Sequence, residues 1–175
     1  MTQGIVMNKI RMAKVALLSL VTFHLSLISS SCSSIDCPIQ NTVYTVYKLY
    51  DGDGSEMKLA DTIYVLSSSA KGDTLLRNSG VGLSTINLPI SYDHPEDTLV
   101  FLRTDTAGHW TIDTVWVEKS NIPHFESVDC SAAFFHELTG VRYTRRGIDS
   151  IVIHNPTVNY DPSTEHFHFY PKPSI

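Results

Sequence analysis

The sequence predicts an all-β fold, an antiparallel β-sandwich of the immunoglobulin-like kind with about eight or nine strands. Short segments rich in β-branched and aromatic residues alternate apolar with polar positions, as half-buried strands do. Gly, Pro, Asn and Asp separate these segments at roughly ten-residue spacing, which is typical of sandwiches and small barrels. No long segment with a helical apolar period follows the N-terminus, which excludes the nucleotide-binding α/β folds. A small β-barrel is the alternative.

The N-terminus has the composition of a cleavable export signal. Basic residues precede an apolar run over residues 15–28 and three serines, the order of charged, apolar and small-residue regions in a signal peptide. The run of about 14 residues is shorter than the roughly 20 that a transmembrane helix needs. We therefore expect residues 1–31 to be removed, with translation starting at either Met1 or Met7.

Cys32 follows the serines directly, at the position that lipoprotein processing requires. The strict bacterial pattern has a branched aliphatic residue three places earlier, where Ser29 stands. Ordinary cleavage that leaves Cys32 as a thiol is therefore the alternative to lipidation. We expect a lipid anchor on Cys32, a lipidated tether over residues 32–40 and a β-sandwich domain over residues 41–175.

The mature chain is acidic. The signal holds three of the 13 Lys and Arg residues and none of the 18 Asp and Glu residues, which leaves 10 basic against 18 acidic residues and a formal charge of −8. The densest basic cluster is Arg142, Arg145 and Arg146, whereas nucleic-acid binding needs a larger patch of Lys and Arg. We expect no nucleic-acid partner. We expect attachment to a membrane through the N-terminal lipid, since the acidic charge does not favour adsorption to anionic lipid.

The cysteine count is odd, which is awkward in an oxidising compartment. Lipidation commits Cys32 and leaves Cys37 and Cys130 to form a disulfide across a long loop. In the chain-entropy model such a bond stabilises the fold by roughly 4 to 5 kcal/mol. Two buried, unpaired thiols are the alternative.

The strands are expected in the following order. The first covers residues 43–50 and ends in a turn at 51–54. Five segments begin with an acidic, turn-prone residue and continue as a β-branched or aromatic run: 61–65, 73–76, 97–101, 113–117 and 149–153. Further strands are expected at 83–90, 120–127 and 165–170. The one helical candidate, 131–138, also fits a period of two.

The turn after the first strand suggests calcium. Asp51 and Asp53 stand two apart beside glycines, and calcium takes several oxygen ligands from tight loops. The EF-hand pattern fails, because Glu56 and Thr62 occupy the positions that need Gly and a carboxylate. A polar hairpin turn is the alternative; a calcium site outside the EF-hand class would add Glu56 and Asp61.

A pair of histidines near the C-terminus suggests a transition metal. His166 and His168 lie two apart in a predicted strand, so both rings project from one face. Zinc or copper would need a third ligand from a neighbouring strand, and His136, His154 and Glu165 are the candidates. A surface or half-buried pair without metal is the alternative.

Two tryptophans suggest a ligand face. Trp110 and Trp116 are separated by an even number of positions and share one face of a continuous strand. Exposed rings would form a stacking platform for sugars, whereas buried rings would belong to the core. We expect at least one of the two to be buried.

Catalytic motifs are missing their required residues. His136-Glu137 lacks the second His of a zinc protease helix. The segment 80–84 is one position out of step with a nucleophile elbow. We therefore expect that the protein is not an enzyme.

Several segments of the mature chain occur together in one known family. They are Phe125 to Cys130, Phe134-Phe135-His136, Thr139-Gly140-Val141, Ile148 to Ile153 with Asn155-Pro156, Glu165 to His168, and the early Asp36-Cys37-Pro38 and Asn41 to Tyr44. By these segments the chain resembles a family of uncharacterised small lipoproteins from Bacteroidota-type bacteria. The resemblance implies a lipid-anchored domain with Cys37 paired to Cys130; it implies no activity, because the family's function is unknown.

These observations together predict a cell-envelope lipoprotein. We expect a non-catalytic binding or structural module, anchored by its lipid to the outer membrane, with no cofactor and with an unknown envelope protein or a glycan as partner. The sequence leaves open whether the domain faces the periplasm or the cell surface. The alternative function is a metal- or calcium-binding envelope protein, with calcium or zinc as the ion.

Overall fold

The computed structural model describes Cys37, residues 42–69 and residues 71–173. The expected signal peptide, Cys32 and most of the expected tether lie outside these residues. The described residues form ten β-strands and no helix, which confirms the all-β prediction. The strands are β1 Tyr44–Leu49, β2 Thr62–Ser67, β3 Thr74–Gly80, β4 Thr85–Pro89, β5 Glu96–Thr104, β6 Trp110–His124, β7 Ala133–Tyr143, β8 Ile148–Ile153, β9 Thr157–Val158 and β10 Phe167–Pro171.

The strands form the two sheets of a β-sandwich. The smaller sheet has four strands in the order β4-β1-β10-β8, and the larger has six in the order β3-β2-β5-β6-β7-β9. All neighbouring strands are antiparallel except β1 and β10, which are parallel, with Tyr47 opposite Phe167. The first and last strands of the domain therefore meet in the middle of the smaller sheet.

The core lies between the two sheets and follows from the alternation along each strand. On β5, Leu99 and Phe101 are buried while their neighbours are partly exposed. The Phe101 ring of the larger sheet lies 5.8 Å from that of Phe169 and 5.9 Å from that of Tyr47, both in the smaller sheet. Aromatic and β-branched side chains thus fill the interior from both sides.

The structure departs from the predicted elements most clearly at β6 and β7. The expected strands 113–117 and 120–127 form one strand, β6, with an irregular register between Glu118 and Lys119. The helical candidate 131–138 belongs to strand β7. Asp113 lies within β6 rather than at a turn, because its side chain faces inward and bonds to the β7–β8 connection. None of the described residues forms a helix long and apolar enough to span a membrane.

The sandwich has two ends, which we name by their residues. The Trp110 end contains the β5–β6 turn at 105–109, the β7–β8 connection at 144–147 and residues 172–173. The hairpin end contains the β6–β7 connection at 125–132 and the start of β1. Since β1 and β10 are parallel and the other pairs antiparallel, the domain begins at the hairpin end and its last strand ends at the Trp110 end.

Candidate ligand pocket at the Trp110 end

A buried ion pair forms the floor of the Trp110 end. The alternation of β5 turns Arg103 inward after Leu99 and Phe101. Its Nε lies 3.1 Å from Oδ2 of Asp61, which immediately precedes β2. One Arg103 nitrogen also donates hydrogen bonds to the backbone oxygens of Gly147, at 3.1 Å, and Lys172, at 2.9 Å. The guanidinium thus links both sheets, and its charge is compensated where water is excluded.

A second buried carboxylate shapes the neighbouring connection. Asp113 of β6 accepts hydrogen bonds from the Thr144 hydroxyl and from the backbone N–H groups of Arg146 and Gly147, at 2.6 to 2.8 Å. Such charge-assisted bonds are stronger than neutral ones. They fix the path of the chain between β7 and β8, and with it the position of Arg146.

The β5–β6 turn is held by one aspartate. Asp105 accepts hydrogen bonds from the backbone N–H groups of Ala107 and His109, both at 2.9 Å. Nδ1 of His109 lies 2.9 Å from the same carboxylate, and this contact is the main cause that lowers the pKa of Asp105 below its ordinary value. Gly108 has a φ of 87°, which favours glycine. The turn therefore presents Trp110 at a defined place.

These elements surround a cavity of about 130 Å³. Its lining includes Asp61, Arg103, Asp105, His109, Trp110 and Arg146. Pockets that enclose a whole drug-sized ligand measure about 300 to 1,000 Å³, so this cavity fits one end of a larger ligand. Trp110 is 56% exposed beside this cavity. The ring of Tyr64 on β2, two strands away in the same sheet, stacks on it with ring centroids 6.0 Å apart.

Among the described residues that line the pocket, one cationic side chain remains available. Asp61 is paired with Arg103 and Asp105 with His109, while the Lys172 ammonium donates to the backbone oxygen of Arg145. Within the part of the chain that the structure describes, the Arg146 guanidinium forms no hydrogen bond or ion pair. The pocket thus combines an open aromatic face with a cation that can bind an anionic or hydroxyl-rich group.

The second predicted stacking residue has a partner within the protein. Trp116 shares the outer face of β6 with Trp110, as the even spacing predicts. The Arg142 guanidinium lies 5.2 Å from the Trp116 ring centroid and pairs with Glu96 and Glu118. The expectation that at least one tryptophan is buried is wrong, because both lie on the outer face of the sheet rather than between the sheets.

The predicted histidine pair is divided between two environments. His166 is fully buried, and its Nδ1 accepts a hydrogen bond from the Val46 N–H at 3.0 Å; burial lowers its pKa. His168 stacks on His154, with ring centroids 4.1 Å apart. Its Nε2 lies 3.6 Å from a Glu165 carboxylate oxygen.

Of the three candidates for a third metal ligand, His154 and Glu165 lie next to His168. His136 lies on the other sheet, where its Nδ1 contacts the Asn121 side-chain oxygen at 2.8 Å. Among the described residues, no group of three or more His, Cys, Asp or Glu side chains has the arrangement of a metal site.

The predicted calcium residues form a turn. Asp51 Oδ1 accepts hydrogen bonds from the backbone N–H groups of Asp53, at 3.0 Å, and Ser55, at 2.8 Å. Glu56 instead pairs with Lys48 at 2.9 Å. Asp61, the remaining candidate, contributes to the Trp110 end. The four acidic residues are therefore not gathered around one point.

The sulfur atoms of Cys37 and Cys130 lie 2.05 Å apart, at disulfide distance. The bond joins the chain before β1 to the hairpin end. Cys32, the expected lipidation site, lies outside the described residues.

The polar floor of the pocket was not predicted from the sequence. Arg103 and Asp113 occupy inward positions of strands whose other inward residues nearby are apolar. A charged residue at such a position indicates a buried polar contact. A charge at an inward position must be paired or hydrogen-bonded, so the alternation could have marked both residues.

Comparison with known proteins identifies a family. A model described as a family of unknown function (DUF6452) matches residues 62–171, from the first residue of β2 to the last of β10. No curated protein and no solved structure matches the chain. The matched range contains Arg103, Trp110 and Arg146 but not β1 or Cys37.

Proposed function

The chain belongs to the DUF6452 family of unknown function, and we propose that it is a lipid-anchored binding module of the cell envelope, without catalysis, that binds a saccharide at the Trp110 end. An acyl chain on Cys32 attaches the domain to the membrane. The sandwich supplies a rigid scaffold, and its pocket supplies the ligand contacts.

One observation carries this proposal, the open face of Trp110. A large aromatic ring that is 56% exposed costs free energy in water, and here it borders a cavity rather than standing alone. Sugar rings present flat C–H faces that pack on aromatic rings. The polar groups at the rim then suit the hydroxyl groups at the ring edge.

The charges favour one class of saccharide. Arg146 is the cation of the pocket rim whose side chain is not used inside the described protein, and a guanidinium binds carboxylates with two parallel hydrogen bonds. A uronic acid or another sugar with a carboxylate would place its ring on Trp110 and its charge near Arg146. The cavity volume fits a terminal sugar unit.

Saccharide binding is tested by screening the purified mature domain on immobilised neutral, N-acetylated and uronic-acid oligosaccharides. The wild-type domain should retain acidic saccharides, and Trp110→Ala should lose them. Trp116→Ala is the matched control, because it removes a tryptophan from the same face of the same strand. Equal retention by both variants, with unchanged circular dichroism, would refute the assigned site.

The anchor is tested separately in cells that express the full chain with a C-terminal tag. Metabolic labelling with a radioactive fatty acid should label the wild-type protein and not Cys32→Ala. Protease treatment of intact cells then distinguishes the two possible faces of the outer membrane. Absence of label from the wild-type protein would remove the anchor from the proposal and leave saccharide binding to stand on its own test.

A further inference from the structure

The hairpin end exposes apolar side chains that the sandwich does not use. Phe125 is 65% exposed and Val128 is 98% exposed, both in the connection between β6 and β7. Ile122 and Tyr92 are also exposed nearby, Tyr92 stacking on Phe134 with centroids 4.8 Å apart. Exposed apolar side chains within one short connection, as Phe125 and Val128 are, mark contact with a partner or a membrane.

The disulfide ties this connection to the start of the mature chain. Cys130 lies two residues after Val128, and its Cα is 5.5 Å from that of Cys37. Cys37 is five residues after Cys32, so the intervening chain spans at most about 18 Å in any conformation. A lipid on Cys32 therefore keeps the hairpin end close to the bilayer surface.

The rest of the fold agrees with this orientation. Strand β1 also starts at the hairpin end, so both covalent routes from the N-terminus enter the domain on the same side. Strand β6 then runs from Trp110 to His124, a path of roughly 45 Å at the usual rise per residue. The pocket lies at the opposite end.

We propose that the hairpin end rests on the lipid bilayer, with Phe125 and Val128 inserted into its interfacial layer, and that the Trp110 pocket points away from the membrane. The inference rests on the anchor of the proposed function but not on the identity of the pocket's ligand. The second contact would fix the orientation of the domain, which one lipid attachment alone does not.

The charge of the hairpin end selects the kind of lipid surface. Glu126 directly follows Phe125, and Asp129 directly follows Val128. Nε2 of His124 lies 2.9 Å from the Glu126 carboxylate. Acidic groups are repelled by anionic headgroups. The contact therefore favours zwitterionic lipid, and anionic lipid weakens it.

The test uses the lipidated full-length mature protein in vesicles of brominated phosphatidylcholine. The bromine atoms lie on the acyl chains near the headgroup and quench the fluorescence of nearby indoles. Phe125→Trp adds an indole at the hairpin end. Val81→Trp is the matched control, because Val81 is 64% exposed and follows Gly80, which pairs with Ile63 at the Trp110 end.

We expect the bromolipid to remove most of the emission that Phe125→Trp adds and none of that from Val81→Trp or the native tryptophans. Replacing part of the phosphatidylcholine by phosphatidylglycerol should reduce the quenching. Quenching of neither added indole, or of both equally, in protein that carries the fatty acid would overturn the orientation and leave the anchor intact. If fatty-acid labelling shows that the protein carries no lipid, both the anchor and this inference are overturned. That result comes from the labelling alone and needs no fluorescence measurement.

Discussion

The buried ion pair of the Trp110 end allows a quantitative test of the fold around the pocket. Arg103→Met keeps the volume of the side chain but takes the guanidinium away from Asp61, whose side chain is 3% exposed. Breaking a buried pair by removing one partner costs about 3 to 5 kcal/mol, because the remaining charge stays in the interior. The backbone oxygens of Gly147 and Lys172 lose a donor as well.

This cost is a large part of the stability of a small domain, which is about 5 to 15 kcal/mol. The double variant Asp61→Asn with Arg103→Met removes both charges, so its free energy of unfolding should exceed that of Arg103→Met alone. Asp149→Asn is the control. Its carboxylate lies 3.6 Å from Arg145 in an exposed pair, and such pairs contribute less than about 1 kcal/mol.

The assay is urea unfolding followed by circular dichroism, with tryptophan emission as a second probe near Trp110. If Arg103→Met destabilises the domain no more than Asp149→Asn does, the reasoning about the buried pair is refuted. A double variant as unstable as the sum of its two single variants would refute the electrostatic coupling.

Three further results are expected. Reduction of the Cys37–Cys130 bond, which spans 93 residues, should lower the free energy of unfolding by roughly 4 to 5 kcal/mol in the chain-entropy model, measured by urea unfolding with and without reductant. Burial lowers the pKa of His136 from 6.5 to about 4. Between these two pH values the unfolded chain binds a proton at His136 that the folded chain does not. The free energy of unfolding should therefore fall by up to about 3 kcal/mol as the pH drops through this window. The free energy of unfolding of His136→Gln, measured at several pH values, should fall by correspondingly less. Acrylamide should quench the emission of Trp110 more than that of Trp116, so Trp110→Phe should leave a less quenchable protein than Trp116→Phe does.

The sequence predicts the class of fold because alternation and turn residues are local signals. The segment 97–101 begins one residue inside β5, and 149–153 covers most of β8. The parallel pairing of β1 with β10 is not local, since the two strands are separated by the whole domain. No pattern within either strand specifies its partner.

The candidate site is predictable in part for the same reason. Even spacing correctly places Trp110 and Trp116 on one face, since this depends on β6 alone. Which of the two rings is open depends on register, because Arg142 covers Trp116 from its position opposite on β7. The placement of His154 beside His168 likewise requires the pairing of β8 with β10.

The most direct test of saccharide binding at the Trp110 end is nuclear magnetic resonance of the two indole N–H groups in the ¹⁵N-labelled domain. Methyl glycosides of glucose, N-acetylglucosamine and glucuronic acid are added in turn, and Trp110→Phe assigns the two signals. The proposal predicts that the glucuronide shifts the Trp110 signal in a saturable way while the Trp116 signal stays in place. A Trp110 signal that none of the glycosides moves, or a shift confined to Trp116, would contradict it.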